Sequence, residues 1–125
     1  MSGFVRDPSG SRWQLTNPAA RELEKLNDAA LIQRVITQLQ RYERGETLVD
    51  GGSIKPLPPH ALMQLKQNWD GNTTYRLIFS QHSIHGPVIL GLHFFQKKSS
   101  KGNSTQDHHI ELAKNRLKDW LKNRE

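Results

Sequence analysis

The segment that decides the fold is residues 75–98, with the sequence YRLIFSQHSIHGPVILGLHFFQKK. Two runs rich in Val, Ile, Leu and Phe, at 75–80 and 88–96, are separated by the turn-forming residues HSIHGP. β-Branched and aromatic side chains fit a pleated, half-buried surface, whereas Gly and Pro interrupt regular structure. The segment therefore predicts a buried β-hairpin.

The positive charges of this segment lie at the ends of its strands. Arg76 is near the start of the first strand, and Lys97 and Lys98 directly follow the second. Antiparallel pairing brings the start of one strand beside the end of its neighbour. We therefore expect these cations, with Lys101 and with Lys66 of the preceding strand, to converge at one sheet edge, where a phosphodiester would fit. The alternatives are solvated lysines and an arginine paired with a carboxylate on a packed helix.

The second strand contains two adjacent aromatic residues, Phe94 and Phe95. Successive side chains of a strand point to opposite faces, so one ring is expected in the core and the other against the final helix or an exposed base. An aromatic ring beside lysines is typical of surfaces that stack single-stranded RNA bases. Burial of both rings in the core is the alternative.

The N-terminal part of the chain predicts a short strand and two helices. Residues 12–16 alternate in polarity, and Asn17-Pro18 supplies an N-cap followed by proline at the first helical position. Asn27-Asp28 interrupts that helix, and a second helix over about 29–44 ends at Gly45. The apolar stripe of the second helix is Ile32, Val35, Ile36, Leu39 and Tyr42, and its other face, expected to be solvated, carries Gln33, Arg34, Gln38, Gln40, Arg41 and Glu43.

The remaining segments complete an α+β pattern. Residues 45–60 contain GGS and PLPP, which predict a connecting loop or in part an edge strand. Residues 61–66 favour a strand over a short helix, and 96–105 predict a polar loop. A last amphipathic helix is expected from Thr105 as N-cap, with apolar positions at Ile110, Ala113, Leu117, Trp120 and Leu121.

Length and composition limit the classes of protein that fit. The 125 residues suit one domain, and 18 Lys and Arg against 12 Asp and Glu favour an anionic partner such as nucleic acid. The absence of cysteine excludes disulfides, thiolate zinc sites and cysteine nucleophiles. No apolar run approaches the roughly 20 residues of a spanning helix, and no secretory signal opens the chain, so we expect a cytoplasmic protein that does not bind membranes.

Several kinds of catalytic site are disfavoured by residue spacing. The adjacent His108 and His109 would point about 100° apart on a helix, so they cannot easily share a metal ion. The glycine pairs do not form a P-loop or a dinucleotide-binding motif, and no two carboxylates fall on one strand face. We expect neither a metal nor a small-molecule cofactor.

Four motifs in sequence order carry a resemblance to a known family. They are IKPLPPHALMQLK at 54–66, YRLIF at 75–79, VILGLHFFQKK at 88–98 and HIELAKNRLKDW at 109–120. Together they resemble the RelE/HigB toxin superfamily, most closely its phage-derived HigB-like branch. The resemblance implies a small antiparallel sheet of three or four strands, with two N-terminal helices and a C-terminal helix packed on it. It implies one such domain over residues 1–125, with 1–16 poorly specified.

The resemblance also implies a function and a set of site residues. The function is that of a type II toxin-antitoxin toxin, usually a ribosome-dependent mRNA endoribonuclease neutralised by a helix-turn-helix, HigA-like antitoxin. The implied catalytic residues are Arg76, Lys97, Lys98, His108 and His109, and the implied RNA-binding residues are Lys66, Phe95, Lys101 and Arg116. The alternatives are a ParE-like inhibitor of DNA gyrase and a non-catalytic nucleic-acid-binding domain.

These residue types suit RNA cleavage without a metal. Attack of a 2′-OH on its own phosphate needs a base, donors for the charge that builds on the phosphoryl oxygens, and an acid for the leaving oxygen. Arg76 suits the charge-stabilising role because its guanidinium is permanently cationic and forked. A histidine, with an unperturbed pKa of about 6.5, suits either proton transfer, and lysines suit backbone binding or base catalysis. The sequence leaves the base and the acid open.

Overall fold

The computed structural model describes residues 13–71, 73–81, 89–97 and 104–123. In these residues it contains five strands and three helices. The elements are β1 (Trp13–Leu15), α1 (Asn17–Glu24), α2 (Ala29–Glu43), β2 (Gly52–Pro56), β3 (Met63–Trp69), β4 (Thr73–Gln81), β5 (Ile89–Lys97) and α3 (Ser104–Asn123). The α+β class, the two N-terminal helices and the C-terminal helix are thus confirmed.

The sheet differs from the expected small antiparallel sheet. Its strand order is β1-β5-β4-β3-β2, and although the β2–β3, β3–β4 and β4–β5 pairs are antiparallel, β1 pairs with β5 in parallel. The prediction of three or four strands was therefore wrong by one or two, and the prediction of a purely antiparallel sheet was wrong. The strands beyond the expected number are the edge strands β1 and β2, of three and five residues. β1 lies within the short strand predicted at 12–16 and β2 within the segment 45–60 predicted in part as an edge strand, so the error lies in the strand number that the resemblance implied.

The caps of α1 and α2 show why these helices begin where they do. The hydroxyl of Thr16 accepts a hydrogen bond from the Ala19 N–H (3.3 Å), so Thr16 is the N-cap and the predicted cap, Asn17, is instead the first helical residue. Asp28 caps α2 through the Leu31 N–H (3.1 Å), and Asn27 takes a positive φ of 53° in the joint between the helices. The predicted stop at Gly45 is confirmed by its φ of +75°.

Helices cover both faces of the sheet. On one face the strand residues Leu65, Leu77 and Phe94 belong to a core that also contains buried residues of α1 and α2. On the other face Ile78 and Leu90 pack with residues of α3 in a second core. The α3 residues of this second core are Ile110, Ala113, Leu117 and Trp120, as the helical spacing predicted. Leu121, the fifth predicted position, is instead 43% exposed, because it follows Trp120 directly and so points away from the core.

An irregularity in β5 changes the direction of its side chains. Ile78 pairs with His93 and Phe79 pairs with Gly91, so Leu92 is an extra residue between two regular pairs. Because Ile78 faces α3, the register places His93 on the α3 side as well, next to Leu92 of the second core. This bulge therefore directs two consecutive side chains toward α3.

A buried pair of glutamines joins α2 to β3. Gln38 was predicted on the solvated face of α2, but it is fully buried, and its amide donates to Gln67 Oε1 (2.7 Å) and to the Val49 carbonyl (3.1 Å). The Val49 N–H donates in return to Gln38 Oε1 (2.9 Å). The prediction failed because helical periodicity does not show that the loop after α2 folds back over this position.

The C-terminal helix begins earlier than expected, and some predictions lie outside the described residues. The helix starts at Ser104, so Thr105 is inside it and is not the N-cap. The hairpin turn at 82–87 and the residues Lys98 and Lys101 lie outside the part of the chain that the structure describes. None of the three described helices has the length and apolar character needed to cross a bilayer.

We predict that Gln38→Ala lowers the free energy of unfolding by about 2–3 kcal/mol, because it leaves the Val49 backbone groups and the Gln67 amide without their buried partner. Urea denaturation followed by circular dichroism measures this loss. Gln33, an exposed residue of the same helix, provides the matched control, and Gln33→Ala should change the free energy by less than about 0.5 kcal/mol. Equal effects of the two substitutions would contradict the prediction.

Candidate active site

The strand register brings predicted cations and an aromatic residue into one row. Lys66 of β3 pairs with Arg76 of β4, and Arg76 pairs with Phe95 of β5. Lys97 is two residues beyond Phe95 in the same strand, so it shares that face. Phe95 belongs to the second core, which identifies this face as the one covered by α3. We call Lys66, Arg76, Phe95 and Lys97 the cationic row.

The members of the cationic row are only partly covered. All four side chains are half-buried, so they are held by the sheet and still reach solvent. Burial lowers the pKa of Arg76 below its usual value, but a guanidinium stays protonated in proteins. Arg76 therefore carries a permanent positive charge and lies between Lys66 on one side and the ring of Phe95 on the other.

The start of α3 places a histidine against this row. The rings of His109 and Phe95 are stacked, with their centroids 3.6 Å apart and their planes 7° from parallel. His108, the preceding residue, is exposed, and its ring lies edge-on to that of His109 at 5.7 Å. Of the two candidate histidines, His109 is therefore the one that contacts the row.

Behind His109 lies a second histidine that the sequence interpretation did not include. Nε2 of His93 is 2.6 Å from Nδ1 of His109, and Nδ1 of His93 is 3.0 Å from Oε2 of Glu22. His93 is 5% exposed, so these contacts are shielded from water. A carboxylate, a buried imidazole and a half-buried imidazole therefore form a continuous hydrogen-bonded chain, the Glu22–His93–His109 chain.

Glu22 is positioned by the open edge of β5. Because β1 ends at Leu15, opposite Gly91, the later residues of β5 have no strand neighbour on that side. Glu22 of α1 takes the place of a strand there, since its Oε1 accepts the Phe94 N–H at 2.9 Å. The same oxygen accepts a hydrogen bond from Nη1 of Arg116 of α3, also at 2.9 Å.

These contacts set the charges of the buried groups. Burial alone raises the pKa of Glu22, but the hydrogen bonds from His93, Arg116 and the Phe94 N–H outweigh it and lower that pKa to about 2. Burial lowers the pKa of His109 to about 4, assisted by the repulsion that a protonated His93 or His108 would exert and opposed by the attraction of Glu22. At neutral pH Glu22 is therefore an anion and His109 a neutral imidazole.

The structure groups the predicted site residues unevenly. Five of them, namely Lys66, Arg76, Phe95, Lys97 and His109, lie on or against one face of the sheet. Arg116 lies on the inner side of the site, where its guanidinium is bonded to Glu22 and to the Leu92 carbonyl. Positions 98 and 101 are not described.

Sequence reasoning missed Glu22 and His93. His93 gave a signal, because it is the only titratable residue within the apolar run VILGLHFF of residues 88–95. Glu22 gave none, since glutamates are common on helix surfaces. Within the described residues, no three His, Asp or Glu side chains are arranged to hold a metal ion.

The fold and the site define a small α+β protein with a cationic and aromatic sheet face, against which its last helix holds a histidine. A family model, described as the phage-derived protein Gp49-like family (DUF891), matches residues 21–118. The chain therefore belongs to the Gp49-like family, which is associated with RelE-like toxins. No curated protein and no solved structure matches the chain.

We predict that the protein loses stability in acid because of Glu22 and His109. The Glu22 carboxylate, with its pKa lowered from 4.5 to about 2, stabilises the fold fully above about pH 4.5 and loses this effect as the pH falls through about 2. Because the carboxylate is partly exposed and solvent screens its interactions, its contribution is below the ~3 kcal/mol that this change in pKa corresponds to. His109 adds to the loss from about pH 6.5 downward, because the unfolded chain takes up that proton first.

The free energy of unfolding, measured by urea denaturation between pH 7 and pH 3, tests this prediction. The Glu22→Gln variant should lose less stability than the wild-type protein below pH 4.5, because its side chain cannot be protonated. Glu24→Gln, which removes an exposed glutamate of the same helix, should keep the wild-type pH dependence. The prediction is wrong if the wild-type protein and Glu22→Gln show the same slope below pH 4.5.

Proposed function

We propose that this protein is the toxin of a type II toxin-antitoxin system, of the phage-derived HigB-like branch, and that it cleaves mRNA on the ribosome without a metal ion. Membership of the Gp49-like family, with its association with RelE-like toxins, supports the toxin role. The observation that carries the cleavage activity is the row Lys66–Arg76–Phe95, continued by His109 stacked on Phe95. The row supplies charge stabilisation and His109 supplies a base, which are two of the three requirements of phosphodiester cleavage by a 2′-OH.

The residues of the site take distinct roles in this proposal. Arg76 stabilises the charge that builds on the phosphoryl oxygens, because its guanidinium is cationic and lies half-buried between Lys66 and Phe95. Lys66 and Lys97 hold the neighbouring phosphates, and Phe95 keeps the His109 ring in place. His109 is the proposed base, since a pKa of about 4 leaves its imidazole free to accept a proton at neutral pH.

The other predicted residues keep narrower roles. The exposed His108 remains a candidate acid for the leaving 5′-oxygen. Lys98 and Lys101 remain predicted phosphate or RNA contacts. Arg116, although assigned to RNA on the basis of the resemblance, is engaged by Glu22 and the Leu92 carbonyl, so we assign it the task of fixing the inner side of the site.

The proposed partners follow from the same function. The substrate is mRNA held by a ribosome, and the net charge of +6 favours such an anionic surface. The proposed inhibitor is a helix-turn-helix, HigA-like antitoxin. If that antitoxin is encoded beside this chain, its co-expression should restore the growth of cells that produce the toxin.

We predict that Arg76→Ala abolishes toxicity by slowing mRNA cleavage about 100- to 1,000-fold, the usual effect of removing one group that stabilises transition-state charge. Cell growth after induction and primer extension on cellular mRNA measure the two effects. Arg41→Ala is the matched control, because Arg41 is a surface cation of α2, on the other side of the sheet. This variant should be as toxic as the wild-type protein.

Two results would contradict the proposal. If wild-type protein arrests growth while mRNA stays intact, and gyrase changes restore growth, the chain is a gyrase inhibitor. If the purified chain binds RNA with strong salt dependence but cleaves none on ribosomes, it is a non-catalytic nucleic-acid-binding domain. If Arg76→Ala is as toxic as Arg41→Ala, Arg76 is not part of the catalytic site.

A further inference from the structure

We infer that Glu22 and His93 are positioning residues, which hold His109 in the tautomer with a free Nε2 so that this nitrogen acts as the general base. The catalytic part of the inference rests on the function proposed above. The tautomer itself is inferred from the hydrogen-bond geometry around Glu22 together with a singly protonated His93, and it is measurable without RNA.

Arg116 has no hydrogen to spare for His93. Its Nη1 carries two hydrogens and has two oxygen acceptors, Glu22 Oε1 at 2.9 Å and the Leu92 carbonyl at 3.0 Å. Nδ1 of His93 lies 3.1 Å from the same nitrogen but finds no hydrogen left to accept. Since Oε2 of the anionic Glu22 is only 3.0 Å away, Nδ1 of His93 must carry a hydrogen and donate it to that oxygen.

The hydrogen on His93 determines which nitrogen of His109 is protonated. We take His93 to carry a single hydrogen, the one on Nδ1, so that its Nε2, which lies 2.6 Å from Nδ1 of His109, is bare. A contact of this length requires one hydrogen between the two nitrogens, so Nδ1 of His109 donates. The neutral His109 ring then has no hydrogen on Nε2, and this nitrogen is available to take a proton.

Two contacts fix the orientation of the His109 ring. The plane of His109 is held against Phe95 on one side, with the centroids 3.6 Å apart, and the Nδ1 contact to His93 prevents rotation within that plane. Nε2 is therefore held in a constant direction while the rest of the site binds a phosphate. Such positioning is what a base needs, because proton transfer depends on the distance and direction of the hydroxyl.

In the proposed reaction the 2′-oxygen forms a bond to phosphorus, and the bond from phosphorus to the 5′-oxygen breaks. Nε2 of His109 takes the 2′-hydroxyl proton, and its Nδ1 proton passes to Nε2 of His93, so the positive charge comes to lie beside Glu22. The leaving 5′-oxygen takes a proton from His108, the candidate acid, and the proton held on the two imidazoles returns to His108 through water. The products are a 2′,3′-cyclic phosphate and a 5′-hydroxyl.

The experiment combines spectroscopy with kinetics on the full chain. ¹⁵N NMR of histidine-labelled protein at pH 7 distinguishes the two tautomers of His109, and we expect the hydrogen on Nδ1. In Glu22→Gln, which keeps the shape but loses the charge, the population should shift toward a hydrogen on Nε2. Hydrogen on Nε2 of His109 in the wild-type protein overturns the inference, and this measurement stands even if the variant does not fold.

Cleavage of ribosome-bound mRNA measures the catalytic consequence. Removing the base with His109→Ala should lower kcat about 100-fold or more. Glu22→Gln should lower kcat by about 10- to 100-fold with little change in KM, because substrate binding by the cationic row is retained. The control, Glu24→Gln, should have wild-type kcat. A folded Glu22→Gln protein with wild-type kcat overturns the positioning role.

Failure of this inference is distinguishable from failure of the proposed function. If wild-type protein cleaves mRNA but His109 carries its hydrogen on Nε2, the proposed function stands and the positioning role is wrong. If His109 has the expected tautomer but wild-type protein cleaves no mRNA on ribosomes, the proposed function is wrong and the catalytic part of the inference falls with it.

Discussion

The structure depends on one carboxylate at an interrupted sheet edge. β1 is only three residues long, so β5 continues past it with backbone groups that need partners in a region away from water. Glu22 supplies an acceptor for the Phe94 N–H, and Arg116 supplies a donor for the Leu92 carbonyl. Since these two side chains come from helices on opposite faces of the sheet and bond to each other, the open edge is where all three layers are joined.

The contacts at this open edge also explain why the partly buried charge of Glu22 is tolerated. An isolated carboxylate in the interior is strongly disfavoured, but Glu22 accepts one backbone and two side-chain hydrogen bonds, one of them from a guanidinium. The buried amides of Gln38 and Gln67 serve the same structural purpose on the α2 side of the sheet. Apolar packing holds the layers together, whereas these directional bonds fix which residue lies opposite which.

The candidate site lies where the hydrogen bonds of Glu22 and Arg116 at the open edge of β5 meet the cationic row. Strand register alone brings Lys66, Arg76 and Phe95 into line, because paired residues of neighbouring strands share a face. The bulge at Leu92 turns His93 to the α3 side, and α3 adds His109 above Phe95. The site is therefore built on rigid elements, and its histidines are connected to the residue that closes the sheet edge. Glu22 thus has a structural role at the sheet edge and a proposed role in positioning the catalytic base.

Local patterns in the sequence determined much of this protein. Alternation and turn residues predicted the hairpin and the opposite faces of Phe94 and Phe95, and helical spacing predicted α2 and the buried side of α3. These succeed because strand and helix periods are properties of neighbouring residues. The cations of the row could also be predicted from the sequence. Arg76 lies beside Phe95 because β4 and β5 are neighbouring antiparallel strands of one hairpin.

Only the tertiary structure decided the parallel β1, the burial of Gln38 and the Glu22–His93–His109 chain. Each joins residues far apart in sequence, such as Glu22 and His93, which are separated by 71 positions. Glu22 and Gln38 lie on polar helix faces, which sequence patterns predict to be solvated. The segments that cover them are distant in sequence, so the helical period does not predict their burial. The sequence therefore determined which charges and rings were present, and the meeting of three layers at one open strand edge decided which of them became buried, paired and oriented.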